Sequence, residues 1–293
     1  MKRFLSLACL LVATLVALGT SGAVLAQRPR WHYLIRSDQL VDQAQHLGAR
    51  GDVAASRAAV EEALALAPQN PRARRELAMH LIAGGKLQEA AAELRAVAQA
   101  KPDDAGAARE LGVILGTLGD GHAAADWLHK SARLEPSDGI SHSMLAGYLL
   151  NIGRVSEARE EAELGAKLAP QVRLTQFELG LARWKSGDPN GALAAFERTL
   201  ALSPSDVPAL FCIAAVAGEL DHPGKAAMYL RRAVTIVPEN VTGWTALGVA
   251  YLYSNQPVEA ARAFAQALEL DPNNATARDG LARARAQGGQ DDH

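Results

Sequence analysis

Seven prolines impose the tightest constraint on this chain. Pro68, Pro102, Pro136, Pro170, Pro204, Pro238 and Pro272 follow one another at a constant spacing of 34 residues, with no insertion anywhere between them. A fixed period of this size predicts stacked repeats, each too small to bury its apolar face without a neighbour. The frames run 37–70, 71–104, 105–138, 139–172, 173–206, 207–240 and 241–274. The last, VTGWTALGVAYLYSNQPVEAARAFAQALELDPNN, is the most regular.

Each frame reads as two antiparallel helices. Asn240 precedes the first helix of the last frame, where a side-chain oxygen can accept a bond from an orphan amide. The equivalent positions hold Asn70, Asp104, Asp138, Val172 and Asp206, so only Val172 is not a capping type. Trp244, Leu247, Val249, Tyr251 and Leu252 supply apolar residues at helical spacing. Asn255 sits where that helix must stop. Its equivalents are Gly51, Gly85, Gly119, Gly153, Gly187 and Asp221, all tolerant of the left-handed conformation found past helix ends. Pro257, Pro223 and Pro189 then open second helices, at a position where a missing amide proton costs nothing.

Two columns of small residues show where the paired helices touch. The eighth position holds Ala44, Ala78, Gly112, Ala146, Gly180, Ala214 and Gly248; the twentieth holds Ser56, Ala90, Ala124, Ala158, Ala192, Ala226 and Ala260. Small side chains there let helix backbones approach closely. Leu94, Leu128, Phe196, Leu230 and Phe264 at the twenty-fourth position fill the space between units.

The pattern resembles the tetratricopeptide repeat family: Trp244, Leu247, Gly248, Tyr251, Ala260, Phe264, Ala267 and Pro272 match its signature positions one for one. The resemblance covers 238 of the 293 residues and weakens toward the first frame. It implies an all-α, right-handed superhelical solenoid of seven helix-turn-helix repeats whose first helices line a concave groove. The usual activity of such a groove is protein binding.

The flanks carry other signals. Residues 1–26 begin with Lys2 and Arg3, run apolar from Phe4 to Leu18 and end in small residues, which predicts a secretory signal peptide cleaved after Ala26. Residues 4–26 are also long enough to span a bilayer as an uncleaved anchor to the inner membrane. Residues 27–36, QRPRWHYLIR, fall outside the repeat. Trp31, Tyr33, Leu34 and Ile35 there read either as a cap over the open end of unit one or as a docking segment for a partner or the membrane surface. Residues 275–287 predict a capping helix begun by Asn274, and residues 288–293, GGQDDH, a disordered tail.

Composition excludes several activities. With formal net charge -2 there is no basic excess to recruit nucleic acid. With Cys9 in the leader, Cys212 is left without a disulfide partner and reads as a small, half-buried apolar residue. No HExxH, GxSxG, glycine-rich phosphate loop or paired cysteines occur, so the reading is a non-enzyme without metal or cofactor.

The groove positions implied by the resemblance are the second, fifth, sixth, ninth, twelfth and thirteenth of each first helix. In frame five, Phe177, Leu181 and Trp184 form one stripe; Phe211 in frame six and Val249 and Tyr253 in frame seven extend an apolar floor. The small residues Gly147, Ala215 and Gly218 are expected to leave hollows beside the aromatics. Toward the N-terminus Arg72, Arg75, Met79 and Arg109 occupy groove positions, the arginines suited to a ligand carboxylate. A chaperone-tail receptor is disfavoured, because the family's carboxylate clamp needs lysine and asparagine where Arg75 with Met79 and Arg109 with Val113 stand. Gly139, Gly147 and Gly165 make frame four the expected flexible joint.

The resulting expectation is an exported, periplasmic scaffold or adaptor binding a protein or peptide in its groove, in assembly of a cell-envelope complex. The alternative is a membrane-anchored structural subunit that self-associates. Membrane contact is expected only where the N-terminal segment is retained.

Overall fold

The computed structural model describes residues 30–288. The expected signal peptide at 1–26, the first residues of the 27–36 segment and residues 289–293 of the expected tail lie outside them. Among the described residues there are fifteen α-helices and no strand. The repeats are α1 (Arg30–Ala49) with α2 (Val53–Leu66), α3 (Pro71–Ala83) with α4 (Leu87–Ala100), α5 (Ala105–Thr117) with α6 (Gly121–Leu134), and α7 (Gly139–Asn151) with α8 (Val155–Leu168). They continue as α9 (Arg173–Lys185) with α10 (Pro189–Leu202), α11 (Val207–Glu219) with α12 (Pro223–Ile236), and α13 (Val241–Tyr253) with α14 (Pro257–Leu270); α15 (Ala275–Gly288) closes the chain. This is an all-α repeat solenoid.

The local chemistry fixes these boundaries residue by residue. Asn70, Asp104, Asp138, Asp206 and Asn240 each accept a backbone amide of the helix that follows, from Arg72, Ala107, Ile140, Ala209 and Gly243, while Val172 makes no such bond. Asn274 caps α15 in the same way, accepting from the amide of Ala277. Between paired helices the chain turns through positive φ at Gly51, Gly85, Gly119, Gly153 and Gly187, and at Asp221 (57°) and Asn255 (54°). Those two are residue types that visit the left-handed region at small cost. Second helices gain caps of their own from Asp52, Asp120 and Asp188, in repeats one, three and five.

Close helix approach explains the small columns. A Cβ added at Gly180 would lie 2.5 Å from Cε1 of Phe196, and one added at Gly248 would lie 2.7 Å from the ring of Phe264. Phe196 and Phe264 are fully buried, so the phenylalanine at position twenty-four is seated against the glycine at position eight of the same repeat. Leucine at position twenty-four accommodates alanine at position eight in repeat six, Ala214 with Leu230, but not in repeat three, where a Cβ at Gly112 would lie 2.8 Å from Cγ of Leu128. Ser56 departs from the small apolar column without cost, because its buried hydroxyl donates to the carbonyl of Ala44 at 2.8 Å.

The chain divides into two compact units at Lys101 and Pro102, the first holding α1–α4 and the second α5–α15. In the first, Leu40, Val41, Ala63 and Ala73 form one buried cluster, and buried Asn70 donates to Ser37 and Asp38. In the second, first helices pack on their own second helices, and each second helix packs on the first helix that follows. The glycines of repeat four have packing reasons. A Cβ at Gly139 would lie 2.7 Å from the carbonyl oxygen of Gly165, and one at Gly165 only 2.2 Å from Oγ of Ser143, so α7 and α8 meet backbone to backbone.

One boundary differs from expectation. Residues 30–36 are not a separate cap or linker but the first turns of α1, which runs unbroken for 20 residues where α3 has 13. Nor do their apolar side chains close over the repeat: Trp31 is 59% exposed and Ile35 51%. The spacing i to i+4 from Tyr33 through Ser37 continues the helix already dictated by Leu40, Val41 and Ala44, and no proline or glycine interrupts it.

Candidate ligand groove

The first helices of repeats six and seven enclose an open hollow of about 880 Å³. Phe211, Ala215 and Gly218 of α11 form one wall, Ala246, Val249 and Tyr253 of α13 the other, and Ala226 and Leu230 of α12 lie at its base. The cause is a deficit of side chain. A Cβ at Gly218 would meet nothing within 4 Å, and Ala215 is exposed, so α11 presents nearly bare backbone toward α13. The lining is apolar apart from Thr242 and one charged residue, Asp221. Such a volume suits one or two large apolar side chains of a ligand.

Tyr253 is 72% exposed and borders a second open hollow, of about 710 Å³, between α13 and α15. Here the lining turns polar, with Asp279 and Arg283 of α15 facing Val249 and Leu252 of α13. A tyrosine ridge thus separates an apolar hollow from a charged one. A further hollow of about 180 Å³, lined by His129, Arg154 and Glu157 and leaning on α6 and α8, is much smaller and lies outside the first-helix groove positions.

The remaining aromatics of the expected stripe lie elsewhere. Phe177 is half-buried with its ring centroid 5.6 Å from that of Phe196, so it packs on the core of its own repeat. Leu181 and Trp184 are half-buried against the same core cluster, and the Trp184 indole Nε1–H donates to Glu219 at 2.8 Å, tying α9 to α11. None of the three lines the hollow. The structure therefore gathers Phe211, Val249 and Tyr253 around one space and leaves Phe177, Leu181 and Trp184 beside it.

The N-terminal groove arginines are engaged within the chain. In the first compact unit Arg72 donates to Asp42 at 2.7 Å and lies 3.5 Å from Asp38, while Arg75 is half-buried and Met79 is 47% exposed on the same helix. The hydrogen bond from Arg72 to Asp42 raises the guanidinium pKa above its ordinary value. In the second unit Arg109 pairs with Asp138. Burial of Asp138 opposes its ionisation, but the Ser141 hydroxyl, the Arg109 charge and the Ile140 amide together hold its carboxyl below the usual range.

Sequence reasoning passed over Glu178, at the sixth position of α9. The space that Gly147 was expected to leave open is taken by this carboxyl, whose Oε2 would lie 3.0 Å from a Cβ added at Gly147. That oxygen is buried and has no hydrogen-bond partner among the described residues. Burial pushes the carboxyl from its ordinary 4.5 up to about 7, with only the charge of Arg173 acting the other way. Cys212, at the same position of α11, is half-buried, and burial pushes its thiol up to about 11, away from reactivity.

The comparisons with known proteins agree with this fold. One family model described as tetratricopeptide repeat matches residues 41–105, 82–138 and 177–241, and a second of the same description matches 241–274. No curated protein sequence matches the chain. Among solved structures, PilW, titled a widely conserved type IV pilus biogenesis factor, superposes with a TM-score of 0.64 at 17% identity, over 72% of this chain and 98% of its own. YrrB, titled a TPR protein with an unusual peptide-binding site, gives 0.55 at 17%, over 64% and 96%. The Cut9–Hcn1 hetero-tetramer of the APC/C gives 0.62 at 17%, over 87% of this chain, which spans 54% of that one. At these identities the likeness is one of fold. Register, caps, turns and family models agree, and this chain belongs to the tetratricopeptide repeat family.

Proposed function

We propose that the chain is a non-catalytic scaffold that holds a segment of a partner protein on its first helices, with an apolar side chain of the partner seated between α11 and α13. The observation that carries this reading is the hollow itself: about 880 Å³, almost wholly apolar, and open to solvent. Exposed apolar concavities of this size are expensive to leave hydrated and usually mark binding surfaces. Asp221 on the lining favours a partner that presents a cation or an amide donor beside the anchor. The second hollow past Tyr253, with Arg283 and Asp279, extends the contact to polar residues of the same segment.

The proposal places the protein outside the cytoplasm, in assembly of an envelope complex. The apolar run after Lys2 and Arg3 supports export. The fold shared with a pilus biogenesis factor and with a TPR protein titled for its peptide-binding site supports an assembly role. The test is panning of a random peptide library against the chain from Gln27, in parallel with a Gly218→Leu variant whose added side chain fills the hollow without meeting the core. Peptides sharing an apolar anchor, retained by the wild type and lost by the variant, would support the reading. Equal retention by both proteins, with unchanged helicity, would place binding elsewhere.

A further inference from the structure

We infer that the N-terminal turns of α1 are a lipid-binding element, which seats in the interface of an anionic bilayer and holds the repeats at its surface. Three observations converge on residues 30–36. First, α1 exceeds α3 by seven residues, about 10 Å of helix at 1.5 Å per residue, and this excess carries four of the exposed large apolar side chains.

Second, those side chains do not share one face. Trp31, Leu34 and Ile35 are spaced i, i+3, i+4 and form a stripe that continues onto the exposed Gln39 and Asp42. Tyr33 is in register with buried Ser37 and Leu40, on the side that faces the core further along, and is nevertheless 37% exposed. A protein groove covers one side of a helix. Apolar groups on opposite sides call for a medium that surrounds the helix end, and tryptophan and tyrosine are the residues that settle at the boundary between acyl chains and headgroups.

Third, the charge is one-sided. Arg30 and Arg36 stand within this segment and Arg28 precedes it in the sequence, and the sequence from Met1 to Ser37 contains no Asp or Glu. Immediately before it lies the uncharged run of residues 4–26, so the exposed turns begin a few residues from a segment that itself has bilayer length. Arginines beside interfacial aromatics match the phosphates of anionic lipids. The element acts whether or not the leader is removed: attached, it continues the anchor; cleaved, it retains the mature chain at the membrane.

The experiment uses the chain from Gln27, which keeps every described helix, with vesicles of phosphatidylcholine alone or containing phosphatidylglycerol. The expected result is sedimentation with the anionic vesicles, weakening as salt rises, and quenching of tryptophan fluorescence by bromine-labelled lipid. The variant Trp31→Ser, Leu34→Ser, Ile35→Ser should bind at least about tenfold more weakly. Arg28→Gln, Arg30→Gln, Arg36→Gln should remove the salt-dependent part of the binding. All the substituted side chains whose surroundings are described are exposed, so far-UV circular dichroism should not change. Absence of wild-type binding, or equal binding by the serine variant, overturns the inference. So does a lipid-free dimer that the serine variant abolishes, which would make a second copy the occupant. Peptide binding at the Gly218 hollow should survive in both variants, so failure here is distinguishable from failure of the groove reading.

Discussion

The same column positions do opposite work in the early and the late repeats. In repeats two and three, groove arginines meet carboxylates of the chain itself: Arg72 lies on Asp42 and Arg109 on Asp138, each partly in water. In repeats six and seven, Phe211, Val249 and Tyr253 surround an unfilled apolar space. A ligand carboxylate arriving at Arg72 must displace an existing exposed ion pair and gains only another like it, worth about 0–1 kcal/mol. A ligand arriving at the second displaces only water from apolar surface. Glu178 shows the transition. The acids of its column are Asp42, Glu76, Glu110 and Glu178, but Glu178 has been carried into the packed region beside Gly147, where burial pushes its carboxyl up to about 7.

Several substitutions break or sharpen this contrast. The largest effect should come from Glu178→Gln. A carboxyl whose pKa rises from 4.5 to about 7 on folding supports the fold fully below pH 4.5 and loses that support as pH climbs through 7. The variant should therefore match the wild type at pH 4 and exceed it by about 3 kcal/mol above pH 8, measured by urea denaturation across pH. A wild type whose stability is flat between pH 4.5 and 8 would return Glu178 to the solvated class of Asp42.

Next in size, Gly218→Leu should weaken selected peptides by about a hundredfold, the scale of a central anchor, while Arg72→Ala leaves their affinity unchanged. Equal losses in titration calorimetry would erase the distinction between the two regions. Third, the glycines should respond with opposite signs. Gly180→Ala drives a Cβ to 2.5 Å from the Phe196 ring and should cost about 1–3 kcal/mol. Gly218→Ala meets nothing and should stabilise its helix by up to about 1 kcal/mol. Thermal melts of the two variants moving in the same direction would contradict the assignment of Gly218 to a hollow and Gly180 to a contact. Smallest of all, Arg72→Ala should cost less than about 1 kcal/mol in the same denaturation assay, because its pair with Asp42 is largely exposed.

Much of the fold was legible in the sequence because its determinants are local. An N-cap at Asn70 or Asp206, a left-handed turn at Gly153 or Asn255, and a proline opening α10, α12 or α14 each depend on a few neighbouring residues. Repetition at one spacing then multiplies a weak local signal into a firm one. The site was legible only in part. Ala215 and Gly218 border a hollow whose far wall is Val249 and Tyr253 rather than Phe177 or Trp184, whereas the equally small Gly147 faces the Glu178 carboxyl. Nothing in a single frame says whether a neighbouring frame will fill the gap.

By itself, then, the sequence determined the repeat length, the helix ends, the turn conformations and the columns of small residues. All are settled by backbone conformation and by side chains a turn or two apart, which every repeat carries with it. The tertiary structure decided how the space between helices is filled: the seating of Phe177 on Phe196 within one repeat, the bond from Trp184 to Glu219 and the burial of Glu178 across neighbouring repeats, and the exposure of Trp31 and Ile35 past the end of the first repeat. These depend on residues 19 to 35 positions apart, or on the absence of any neighbour at all. Space between helices belongs to neither one, so it is known only once both are in place.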